Sequence, residues 1–87
     1  MADLHLPGTL RPLFTDLPRR VDVDAGTVGE AIERLDLQWP GLRDRLCEPG
    51  PLLRRHIHVY VDQERATLDT PLGVQSRVDV IAAISGG

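Results

Sequence analysis

The sequence closes on Ser85-Gly86-Gly87, a bare stalk that ends in a carboxylate. Glycine has no side chain, so the last ~7 Å of the chain presents only backbone, in extended or φ > 0 conformations alike. That shape suits passage through a narrow channel into a nucleotide site. Gly87 is therefore the candidate reacting residue, with Gly86 and Ser85 giving clearance. Chain ends commonly fray, and fraying alone also accounts for such a run.

Other residues could do chemistry, and their settings argue against it. His56 and His58 lie two apart on one strand face, short of the three or four ligands a metal site normally needs. Cys47 has no base beside it in the sequence and no feature that would lower its pKa, so a packing role is expected. Ser85 lacks the surroundings of a nucleophile elbow. Arg54-Arg55 is expected to be a solvated pair, with partner docking as the lesser reading. No catalytic residue and no metal site of the chain's own are expected.

The totals agree with a small carrier or binding domain. The 87 residues suit one compact domain. A single cysteine excludes an internal disulfide framework and a cluster held by four cysteines. The formal net charge of −3 points away from nucleic acid. No apolar run approaches the ~18 residues that span a bilayer, and Met1-Ala2-Asp3-Leu4 has no signal-peptide character. The expected location is cytoplasmic, with neither nucleic acid nor membrane as a partner. All ten basic residues are arginine, so the chain offers no side-chain amine as an isopeptide acceptor.

The elements that would position Gly87 follow from periodicity. Ala2, Leu4 and Leu6 alternate with Asp3 and His5 as in a half-buried strand, and Leu17, Val21 and Val23 give a second alternating stretch. Thr27 and Glu30 form a capping box, and Val28, Ala31, Ile32 and Leu35 make one helical face. Residues 41–53 read as an irregular connection with one helical turn at 42–46. Ile57, Val59 and Val61 define the next strand. A turn at 62–65 and a short strand near Ala66-Thr67-Leu68 follow, then a turn at 70–73. The last strand sets Val78, Val80, Ala82 and Ile84 on one face and Asp79, Ile81 and Ala83 on the other. Ile81 and Ala83, with Tyr60 and His58, form a candidate docking patch near the tail.

One helix among about five strands predicts an α+β fold, a mixed sheet with the main helix packed on one face. The order of elements fits the ubiquitin-like β-grasp arrangement, with residues 1–84 as the domain and 85–87 as a flexible tail.

The stretch Trp39-Pro40-Gly41-Leu42-Arg43-Asp44-Arg45-Leu46 resembles the aromatic-Pro-Gly-Leu-Arg-x-Arg-Leu segment of the MoaD/ThiS-like sulfur-carrier family. The resemblance extends through Gly26–Glu30, Leu53–Ile57 and Leu68–Leu72 to Ile84-Ser85-Gly86-Gly87. The family's Asp-Gly-Asp-like turn is replaced by residues 74–79, and its proline before the tail by Ala82-Ala83, so the subfamily stays open.

The resemblance implies a defined chemistry. An E1-like partner adenylates the Gly87 carboxylate with ATP and Mg²⁺, and a sulfur donor displaces AMP to leave a thiocarboxylate. A downstream enzyme then accepts the sulfur. The chain would bind no cofactor and act as a co-substrate, not an enzyme. Two alternatives remain: a ubiquitin-like modifier joined through Gly87 to lysines, and a plain β-grasp interaction module.

Overall fold

The computed structural model describes residues 1–50 and 52–83. Its strands are β1 (Ala2–His5), β2 (Arg20–Val23), β3 (Ile57–Val61), β4 (Glu64–Ala66) and β5 (Arg77–Ala82). Its helices are α1 (Val28–Gln38) and α2 (Leu42–Leu46). The five strands form one sheet in the order β2-β1-β5-β3-β4. β1 pairs parallel to β5 and antiparallel to β2, and β3 pairs antiparallel to both β5 and β4. This mixed sheet with α1 against one face is the β-grasp arrangement. Among the described residues, no helix is long and apolar enough to cross a membrane.

The core follows from the two periodicities. Ala2, Leu4, Ile57, Val59, Val78 and Val80 are buried on one face of the sheet. Val28, Ala31, Ile32 and Leu35 bury the stripe of α1. Fully burying a side chain of Val, Leu or Ile size stabilises by roughly 1.5–3 kcal/mol, so the stripe holds the helix in place. The capping box forms in part: Thr27 Oγ1 accepts from the Glu30 amide as expected, but Glu30 Oε1 accepts from the amide of Gly26, one residue before the cap.

The loops contribute more to the core than periodicity showed. Leu17 is fully buried but precedes β2, which begins at Arg20, so it is a loop residue inserted into the core. The second alternating stretch is correspondingly shorter than expected. Leu10, on a turn of 3₁₀ helix at Gly8–Leu10, is buried beside it. The connection after α1 holds α2, whose Leu42 and Leu46 are fully buried. Gly41 at its start has φ +96°, a backbone conformation that favours glycine. Asp36 Oδ1 accepts from the amides of Gly41 and Arg43, so a side chain of α1 caps α2.

The hairpin after β3 departs from expectation. β4 spans Glu64–Ala66, two residues earlier than the expected strand near 66–68. The turn is only Asp62-Gln63, both at positive φ (50° and 73°), as a tight type I′ hairpin requires. Neither residue is glycine, so the usual sequence signal was missing.

Candidate functional site

The site is built around β5, the strand that leads toward Gly87. It is central in the sheet, hydrogen-bonded on one side to β1 and on the other to β3. Its core face is locked by buried Val78 and Val80. Beyond its last residue, the Ala83 amide donates to the His56 carbonyl at 2.8 Å, which ties the root of the tail to the entrance of β3. The segment that carries Gly87 thus leaves from one of the most restrained parts of the molecule. Residues 84–87 lie outside the described residues. The expectations for Ile84, Ser85, Gly86 and Gly87 therefore rest on sequence.

The expected docking residues share the open face of the sheet. His58 stands opposite Ile81 and Tyr60 opposite Asp79 in the β3–β5 register. Ile81 is 47% exposed, Ala83 is exposed, and His58 and Tyr60 are half-buried. Ile81 therefore has the His58 ring across from it, Ala83 pairs with His56 just beyond β5, and Tyr60 lies farther back along the same face. Polar pairs continue the face away from the tail. Arg77 Nε donates to Asp79 at 3.1 Å, and Arg20 Nη2 to Asp3 at 2.9 Å, with His5 Nε2 3.0 Å from the same Asp3 carboxylate. These contacts hold the Asp3 carboxyl below the usual carboxylate range, Arg20 being the larger influence and His5 the smaller.

The remaining candidates separate cleanly. Cys47 is 2% exposed, and burial pushes its thiol pKa up, the opposite of what a nucleophile needs. His56 is exposed just before β3, and His58 lies within it. Among the described residues, no cluster of three or more His, Cys, Asp or Glu side chains is placed to hold a metal ion. Arg54 and Arg55 are not an equivalent solvated pair. Arg54 is half-buried and its Nε donates to the Asp44 carbonyl at 2.6 Å, tying α2 to the entrance of β3, whereas Arg55 is exposed. Trp39, read from sequence only as part of a motif, packs on the core and donates from Nε1 to Asp16 at 3.2 Å.

The arrangement, among the described residues, gathers no set of three or more metal-ligating side chains. It presents a rigid sheet end, an adjacent apolar patch and a short run of chain ending in Gly-Gly. The ThiS family model matches residues 4–87. The chain belongs to the ThiS family. Within that relationship, the sulfur carrier protein CysO of Mycobacterium tuberculosis is 28% identical over 90 residues, covering 97% of this chain and 96% of CysO. A chain in the crystal structure of the Amycolatopsis orientalis BexX/CysO complex superposes with a TM-score of 0.87. It is 24% identical and fully covered, as is this one (100% each), which supports the fold. SAMP1 from Haloferax volcanii superposes with a TM-score of 0.76 at 29% identity, covering 99% of this chain and 98% of SAMP1. The ThiS family and these relatives share the β-grasp arrangement deduced above from strand order.

Proposed function

We propose that this ThiS-family domain is a sulfur carrier whose reacting group is the Gly87 carboxylate. The observation that carries the reading is the family match, which runs from residue 4 through Gly87. The β5 geometry supports it, because a restrained strand aims whatever follows it.

The chemistry has two steps. A carboxylate oxygen of Gly87 attacks the α-phosphorus of ATP, and pyrophosphate departs with the electron pair of the broken P–O bond. The resulting acyl adenylate is a strong electrophile where the carboxylate was a poor one. A hydrosulfide donor then adds to the acyl carbon and AMP leaves, giving the thiocarboxylate, whose sulfur passes to an acceptor on a second enzyme. ATP and Mg²⁺ belong to the adenylating E1-like partner. The carrier supplies position only and acts as a cytoplasmic co-substrate of that enzyme. Ile81, Ala83, Tyr60 and His58 form the apolar part of the surface that the partner reads.

The likeness to SAMP1, a small archaeal modifier protein by name, favours a second reading. The same activated Gly87 would then be captured by a lysine amine of another protein. Activation is shared by both readings, so one assay tests both. ATP–pyrophosphate exchange by the E1-like adenylyltransferase of the same genome should depend on the carrier and fall to background when Gly87 is deleted. In the same assay Ile81→Arg should raise KM for the carrier about tenfold with its thermal melt retained. Exchange that is indifferent to Gly87 contradicts the proposal; an unchanged KM removes Ile81 from the docking surface.

A further inference from the structure

The sheet sorts its charges by end. The β1–β5 and β3–β5 registers set the end of β5 beside the end of β1 and the start of β3. The β1–β2 connection, carrying Arg11 and Arg19, leaves from that end, where the Leu6 amide donates to the Arg19 carbonyl. An open depression of about 440 Å³ there is lined by Arg45, Arg54, His56, Asp44 and Gly41, and Arg55 stands exposed next to it. Among the described residues, none of Arg11, Arg19, Arg45, Arg54 or Arg55 lies within ion-pair distance of a carboxylate. Arg20, Arg34 and Arg77 are all so paired. Carboxylates near this end include Asp16, which accepts from Trp39, Asp36, which accepts from the Gly41 and Arg43 amides, and Asp44.

The opposite end is acidic. The end of β2 and the β3–β4 turn lie beside the start of β5, and they carry Asp22, Asp24, Asp62 and Glu64. These four carboxylates outnumber Arg65 on β4, which is unpaired among the described residues, and Arg77 is occupied by Asp79. A chain whose formal net charge is −3 therefore has one positive end, and that end is where the run to Gly87 departs. Four residues follow Ala83, the last of them Gly87, and they reach at most about 14 Å. An enzyme that grips Gly87 must bring its own surface within that reach of the sheet end that carries the arginines.

We propose that the domain is an electrostatic dipole along its sheet, and that it docks tail-first on an acidic rim around the nucleotide channel of its adenylating partner. The proposal rests on the carrier reading above and adds the chemistry of the partner's surface. Unpaired guanidiniums around the exit raise the encounter rate with an acidic rim. The acidic far end is repelled by the same rim, so productive orientations are favoured before contact. The apolar patch of Ile81 and Ala83 then supplies short-range contact on one side of the same exit.

The test compares two substitutions that change net charge equally. Arg55→Glu alters the tail end, whereas Arg34→Glu alters the exposed face of α1, away from it. In carrier-dependent ATP–pyrophosphate exchange with the E1-like enzyme at about 50 mM NaCl, Arg55→Glu should raise KM about tenfold with kcat within about twofold. At about 500 mM NaCl that gap should shrink to less than about threefold. Arg34→Glu should stay within about twofold of the parent at both salts. Arg55→Gln, which removes charge without reversing it, should show a smaller loss in the same direction and carries the test if the reversal fails to fold. Equal effects of Arg55→Glu and Arg34→Glu, or no salt dependence, overturn the dipole. Absence of exchange with the unaltered chain instead overturns the carrier reading on which it stands.

Discussion

Asp3 shows how a residue outside any reacting group contributes to the platform. It sits on the open face of β1, opposite Asp22 on β2 and Arg77 on β5, a position where a like charge lies directly across. Arg20 and His5 offset that repulsion by binding its carboxylate, and its pKa falls below the ordinary 3.8. A lowered folded-state value means the contribution is present above the unfolded pKa and is lost as pH falls through the folded one. Asp3→Asn should therefore lower the urea midpoint at pH 7, while the gap to the parent closes as pH falls through the lowered folded-state value of the carboxyl. Urea melts across pH measure this; a gap that stays constant into acid would show that the carboxylate is not the source. Cys47 makes the converse point. Its isolation in the sequence predicted a packing role, and its burial and raised pKa agree.

At the scale of elements, the helix and the strands' inward faces were legible because one pattern decided each. The stripe Val28, Ala31, Ile32 and Leu35 and the cap at Thr27 appear as read. The loops were less legible, for physical reasons. Leu17 lies in the core without belonging to a strand, and a lone buried leucine among prolines has no period to announce it. The β3–β4 turn uses Asp62 and Gln63 at positive φ, where sequence rules look for glycine. Asp62 is supported, since its Oδ1 accepts from the Arg77 amide at 2.9 Å; among the described residues Gln63 has no such side-chain bond to offset the steric cost. Gln63→Gly should stabilise the hairpin by about 0.5–1 kcal/mol, seen as a higher thermal midpoint with an unchanged urea m-value. A lower midpoint would mean that the turn does not depend on φ at that residue.

At the scale of the whole molecule, order and spacing of motifs carried the reading further than any one of them. Gly-Gly alone is weak, but the segment Trp39–Leu46, the capped helix start and the Leu68–Leu72 stretch together pointed to the family that the match to residues 4–87 establishes. The charge polarity was illegible in the sequence. Arg11, Arg19, Arg45 and Arg55 are scattered along the chain, and the parallel β1–β5 pairing together with the antiparallel β3–β5 pairing gathers them at one end. The candidate patch was half legible. Alternation placed Ile81, Ala83, Tyr60 and His58 on a common face, but their register across β3 and β5 needed the fold.

Mass spectrometry of the chain isolated from its native host reads the chemical state of Gly87 itself. Trypsin cuts after Arg77, and the peptide 78–87 holds neither Met nor Cys, so oxidation of those residues cannot imitate a mass gain there. Replacement of one carboxylate oxygen by sulfur should add about 16 Da to that peptide, located at Gly87 by fragmentation and absent when the activating enzyme is deleted. A peptide 78–87 of unmodified mass, both free and in adducts, in cells that contain the activating enzyme and a sulfur supply would contradict the account.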